Sequence, residues 1–254
     1  MYRALVISHR GASGHAPENT LAGIRRAIEF GADAVEIDVR ISDDGIPVVI
    51  HDRTLDRTTD MQGNVHSMSM ATIKEANAAA SFAGWPTREE VPTLEEVLIE
   101  TRGQILLVIE IKGTDIEGAV LEVIRMAHAI DDVMIWSVHP HVVAQFREYQ
   151  PSIPAALLTG GEEWASMDEF FKEALWRNAQ AASIAHTSLT PEIARQARTR
   201  GLGPFTWTVN DETEMRRVID CGVLGIVTDY PDRLRVVMDD IEQAARPSSV
   251  ELRE

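Results

Sequence analysis

The sequence predicts an α/β chain closed into a (β/α)8 TIM barrel, with a small insertion after the second barrel strand. Three observations predict it. Short apolar runs alternate with segments of helical spacing along the whole chain, the pattern of parallel strands joined by crossover helices. Eight such runs remain once one hairpin return is set aside, and 254 residues suit a single barrel domain. Polar, ionisable residues also cluster where the runs end, the place where such barrels carry chemistry.

Ala4 to Ser8 is a buried strand ending in His9-Arg10-Gly11. Pro17-Glu18-Asn19-Thr20 opens a helix, with Asn19 or Thr20 as N-cap, Leu21, Ile24 and Ile28 at helical spacing and Gly31 as the stop. The second strand carries VEIDVR from Val35 to Arg40. Its apolar residues share one face, while Glu36 and Asp38 share the other, roughly 7 Å apart along the strand. Asp44-Gly45 supplies a tight turn, and IPVVI returns with His51 at its end. So short a link excludes a parallel crossover, so this return is antiparallel. Glu36 and Asp38 also admit a plainer reading, as the solvated face of an amphipathic strand.

The insertion is expected at about 42–92, with a turn-rich RTTDMQGN loop and a short Ala-rich helix around Met70 to Ala80. Thr93 and Glu96 form a capping box that opens the second barrel helix. ILLVIEI (105–111) precedes a helix over 116–130, striped by Ile116, Val120, Val123, Ala127 and Ile130. VMIWS (133–137) precedes 140–149, and AALL (155–158) precedes 165–176. AASIA (181–185) leads to a helix with Thr190 as N-cap and Pro191 in its first turn. PFTWTV (204–209) leads to one capped by Asn210 or Asp211, and LGIVT (224–228) to a last helix over 232–245. The barrel domain is thus expected over 1–246, followed by a polar tail, 247–254, expected to be frayed.

Composition narrows function. A formal net charge of −16 and a pI near 4.9 argue against nucleic acid and anionic membrane surfaces, which are bound through Lys and Arg clusters. Divalent cations are attracted instead. One cysteine, Cys221, excludes an internal disulfide framework and reads as a buried hydrophobe in a reducing compartment. No apolar run approaches a membrane span, and Met1-Tyr2-Arg3 leads directly into a strand, so a cytoplasmic protein without stable membrane association is expected.

Strand ends offer His9 and Arg10, Glu36 and Asp38, Glu110 and Lys112, Trp207 and Asn210, and Asp229, with His51 from the hairpin. Three carboxylates without a nearby cysteine make a hard oxygen site for one divalent cation, Mg²⁺ or Ca²⁺. Two histidines can divide general acid and base roles, and Arg10 and Lys112 suit phosphate oxygens. The set fits metal-assisted chemistry on a small-molecule phosphodiester. Plainer roles stand beside these: Lys112 as neutraliser of Glu110, Trp207 as core, and Asp229 as a turn former or as a partner to a site residue. Glu18 and Asn19 read first as helix-start residues, His15 and His186 as solvated or packed, and His66, His128, His139 and His141 as surface or loop.

HRGASGHAPENT (9–20), VEIDVRISDDGIPVVIHD (35–52), LDRTTD (55–60), PTLEEVL (92–98), IEIK (109–112), WTVN (207–210) and GIVTDYPD (225–232) together resemble the glycerophosphodiester phosphodiesterase family. The resemblance spans nearly the whole chain. It implies a TIM barrel and hydrolysis of glycerophosphodiesters to sn-glycerol 3-phosphate and an alcohol. It also implies that Glu36, Asp38 and Glu110 hold the cation, that His9 and His51 are the acid/base pair, that Arg10 and Lys112 contact phosphate, and that Trp207 lines the glycerol side. Ser8 stands where a small apolar residue is common, and Ser137-Val138-His139 where Ser-Phe-Asp is common; the latter bears on the pocket wall and the alcohol preference. Two other functions compete: a phospholipase D-like enzyme on lysolipids, which would favour an apolar or basic docking patch, and a catalytically silent metal- or phosphate-binding barrel, which would favour loss of a histidine or carboxylate.

Overall fold

The computed structural model describes residues 3–245; the tail anticipated at 247–254 lies outside them. Eight strands run parallel: β1 (Leu5–His9), β2 (Ala34–Ile41), β4 (Leu106–Ile111), β5 (Val133–Ser137), β6 (Ala155–Thr159), β7 (Ala181–Ala185), β8 (Gly203–Trp207) and β9 (Gly225–Thr228). β1 pairs with both β9 and β2, which closes the barrel. The short β3 (Pro47–Val49) pairs antiparallel with Val39–Ile41 of β2, as the short link over 42–46 requires. β1 pairs with β2 only at Ala34–Glu36, whereas β4 pairs with it through Val39. β3 therefore takes the edge of β2 that β1 has left, and this brings the chain leading to His51 up beside His9.

Barrel helices follow the strands: α1 (Leu21–Glu29), α3 (Leu94–Thr101), α4 (Glu117–Met126), α5 (Pro140–Tyr149), α6 (Met167–Trp176), α7 (Pro191–Thr199), α8 (Glu212–Asp220) and α9 (Pro231–Ala245), with α2 (Met70–Ile73) inside the insertion. The Thr93–Glu96 capping box is formed, Thr190 caps α7, and of the paired N-cap candidates Thr20 and Asp211 are the ones that accept the helix-end N–H groups.

Two helices are shorter than their patterns predict. The stripe over 116–130 ends at Met126, because His128 adopts φ +54° and the His128 and Ala129 N–H groups turn back onto Arg125 and Ile124. That is a Schellman closure with histidine where glycine is usual, so no glycine or proline marked it. The Ala-rich helix expected to Ala80 stops at Ile73, and the Asn77 side chain instead accepts from the N–H groups of Ala79 and Glu89.

Strand alternation sorts two cores. Val35, Ile37, Val39, Ile109 and Ile135 pack outward against the helices, while Ile7, Ala34, Val108, Trp136, Ala156, Phe205 and Val227 fill the lumen. Trp136 and Phe205 meet edge to face with ring centroids 5.4 Å apart. Lumen parity on β2 is Ala34, Glu36, Asp38. The two carboxylates thus stand above an apolar plug, 2% and 0% exposed, and the solvated-face reading of this strand does not hold. Among the described residues, no helix is long and apolar enough to cross a membrane.

Candidate active site

Register places the carboxylates. Asp38 on β2 lies directly across from Glu110 on β4, and Glu36 across from His9 on β1. One oxygen each from Glu36, Asp38 and Glu110 can be chosen so that all lie within 4.8 Å of one another. Such a cluster is costly in a low-dielectric lumen, and its surroundings offset the cost only in part. Lys112 Nζ donates to Glu110 Oε1 at 2.6 Å and stands 3.0 Å from Asp38 Oδ1. Arg10 Nε lies 2.9 Å from Asp38 Oδ2. Burial, then the Asp38 charge, pushes the Glu36 carboxyl well above the usual carboxylate range. Burial acts on Asp38 in the same direction, but Lys112 and Arg10 overcome it and hold that carboxyl low. Glu36 Oε1 is buried without a hydrogen-bond partner. Three converging hard-oxygen donors, one of them unpartnered, fit a divalent cation of the Mg²⁺ or Ca²⁺ kind.

Both histidines are held from behind. His9 Nδ1 lies 2.6 Å from Asp229 Oδ1, and His51 Nδ1 lies 2.6 Å from Asp52 Oδ1. An ionised carboxylate only accepts, so each Nδ1 carries the proton and each Nε2 is the atom free to exchange one. His9 Nε2 is 3.9 Å from Glu36 Oε2. Burial disfavours the His9 imidazolium, yet the Asp229 hydrogen bond and the Glu36 charge outweigh it and raise the pKa. At His51 burial prevails and the pKa falls, with Asp38 opposing and Lys112 assisting.

The loop after β1 is shaped for this site. Arg10 and Asn19 both sit at left-handed φ, +53° and +56°, which costs Arg10 about 1–2 kcal/mol and asparagine, which tolerates this region, less. In return the Arg10 N–H donates to Glu36 Oε2 at 3.1 Å, and Asn19 grips Asp38 twice, Nδ2 donating to Oδ2 at 2.8 Å and Oδ1 accepting from the Asp38 N–H at 3.1 Å. Gly11, at φ +79°, packs so closely on α1 that an added Cβ would stand 2.6 Å from the Gly23 carbonyl carbon.

The chain thus brings His9, Arg10, Glu36, Asp38, His51, Glu110 and Lys112 together. Trp207 stands apart from them on β8: its ring packs on the lumen cluster, and its indole N–H donates to the Ser183 carbonyl at 3.3 Å. Asp229 is the partner of His9, itself held by Ser13 and Asn210. His15 packs between Phe30 and Tyr230 and bonds Asp232, and His186 bonds Glu214. Sequence reasoning missed Asp52, whose position next to His51 was the available signal. It also missed Arg57, which bonds Asp52 and Glu18, and Glu18 in turn bonds Arg10. It took Asn19 for a helix-start residue. For Arg57 the signal was its place in the LDRTTD motif (55–60).

Residues 9–233 match the model of the Glycerophosphoryl diester phosphodiesterase family. A glycerophosphodiester phosphodiesterase of Caldanaerobacter subterraneus is 34% identical over 238 residues, covering 91% of this chain and 96% of that protein. Among solved structures, an Oleispira antarctica phosphodiesterase in complex with the product sn-glycerol-3-phosphate superimposes with a TM-score of 0.86 at 27% identity, covering 92% of this chain and 96% of that one. A glycerophosphodiester phosphodiesterase from Agrobacterium tumefaciens gives 0.81 at 29% identity, covering 92% and 100%.

Proposed function

The chain belongs to the glycerophosphoryl diester phosphodiesterase family, and on that premise we propose that it hydrolyses glycerophosphodiesters to sn-glycerol 3-phosphate and an alcohol, with one divalent cation held by Glu36, Asp38 and Glu110. The observation that carries this reading is the pairing of a cation-ready carboxylate cluster with two histidines whose Nδ1 atoms are each fixed by an acid, Asp229 and Asp52. A cation bound there supplies positive charge to the phosphoryl oxygens.

The residues of the chain divide the remaining work. Lys112 donates one N–H to Glu110 and pairs with the charge of Asp38, and its other N–H groups are left for a phosphate oxygen. Arg10, braced by Asp38 and Glu18, presents its remaining donors to the same group. His9 and His51 work through Nε2, one removing a proton from the oxygen nucleophile as its bond to phosphorus forms and the other protonating the alkoxide as the scissile P–O bond breaks, with one water consumed over the whole hydrolysis. The glycerol moiety rests against Trp207. Glycerol 3-phosphate release from glycerophosphocholine, assayed with and without EDTA, tests the reading. Cation-dependent release is expected; absence of release, or full release in EDTA, would overturn it.

A further inference from the structure

A cavity of about 340 Å³ lies beside the carboxylate cluster, between the insertion and the loop after β4. Lys112 lines it and also reaches the cluster, so the two spaces adjoin. The charge of its wall is unlike that of the rest of the molecule. The chain has 40 acidic and 24 basic residues, yet Arg40, Arg53, His66 and Lys112 line this cavity and, among the described residues, no carboxylate does. Lys112 is committed to Asp38 and Glu110. The two arginines are not so committed. Arg40 donates only to the carbonyls of His51 and Lys112, which are neutral, and Arg53 forms no ion pair among the described residues. Arg53 is exposed, but its backbone is held in place: its carbonyl accepts from the Val65 N–H, and the neighbouring Thr54 bridges to Asn64, which also lines the cavity.

Barrel order gives this cavity a place in the substrate path. Around the closed sheet β4 and β8 are four strands apart, so Lys112 and Trp207 face each other across the mouth. A diester whose phosphate sits at the cluster and whose glycerol rests on Trp207 directs its other arm toward the arginines. Resting on the activity proposed above, we infer that Arg40 and Arg53 form an anion subsite for the departing alcohol, and that favoured substrates are glycerophosphodiesters whose alcohol carries a phosphate of its own. The uncommitted guanidinium fork of Arg53, with the free Nη2 and the positive charge of Arg40 beside it, matches the oxygens of such a group.

A matched pair of substrates tests this: glycerophosphoinositol and its inositol-4-phosphate counterpart, with glycerophosphocholine as a third. The wild-type protein should show kcat/KM about tenfold or more higher for the phosphorylated diester. Arg53→Gln should remove that advantage while leaving the unphosphorylated diester within about twofold, and Arg53→Lys should keep part of it. Equal wild-type rates on the matched pair, or equal losses on both in Arg53→Gln, would overturn the subsite. Failure of the parent activity is distinguishable, because wild-type protein would then release nothing from glycerophosphocholine either.

Discussion

His9 Nδ1 and Asp229 Oδ1 lie 2.6 Å apart across the seam where the first barrel strand meets the last, although 220 residues separate them in the chain. Closure of the sheet therefore completes the histidine. Asp229→Asn keeps the shape and removes the charge that fixes the Nδ1–H tautomer. A fall in kcat of about 10²-fold is expected in a folded protein. A change of less than twofold would show that His9 needs no such support.

Replacing Glu36 should move two quantities in opposite directions. Its carboxyl is buried, raised by Asp38, and has one unpartnered oxygen, so Glu36→Gln relieves repulsion in cation-free protein and should raise Tm in EDTA. The same change should remove most of the Tm gain on adding Mg²⁺ or Ca²⁺, a gain worth about 2.7 kcal/mol at a hundredfold excess over Kd. Differential scanning calorimetry in both conditions reads the two signs. An undiminished cation gain would exclude Glu36 as a ligand.

Leaving-group chemistry separates the roles of His9 and His51. Each alanine variant should lose about 10²–10⁴-fold on a natural diester. On a p-nitrophenyl diester, whose leaving group departs without a proton, the variant lacking the acid should recover most of its activity and the other should not. Identical responses would point to both histidines as phosphate ligands.

In cation-free protein the two histidines should titrate on opposite sides of the ordinary value of 6.5, His9 above it and His51 below. The linked stability follows with opposite sign. The His9 contribution is complete below about pH 6.5 and is lost as pH rises through its raised pKa, because the folded state favours the imidazolium. The His51 contribution is present above about pH 6.5 and is lost as pH falls through its lowered pKa, because the fold favours the neutral ring. NMR titration of the ring protons in EDTA reads both, and the reverse order would refute the assignment.

Asn19 offers a test of the loop. Asn19→Asp retains the tolerance for φ +56° but turns a donor to Asp38 into a second carboxylate. Urea unfolding in EDTA should show a loss of about 2–4 kcal/mol. Unchanged stability would mean that the Asn19–Asp38 contact contributes nothing.

The barrel was legible because its signals are local. Two-residue alternation in VEIDVR, helical spacing in α1 and α7, and caps such as Thr93 with Glu96 or Thr190 with Pro191 each lie within one element. The ionisable set was legible for the same reason, since His9, Glu36, Asp38, Glu110 and Lys112 each stand at the end of a recognisable strand. Where a local signal was missing, the reading overshot: a helix ended at His128 rather than at a glycine, and an asparagine cut short the Ala-rich segment. Tertiary structure alone decided which way the polar face of β2 points, because a strand's alternation is the same whether its second face meets water or a barrel lumen. It alone chose Asp229 for His9, Asn19 for Asp38 and Arg57 for Asp52, and left Arg40 and Arg53 without a carboxylate partner among the described residues. Such pairings join residues that only chain closure makes neighbours, and no periodicity within one element encodes which distant side chain will arrive.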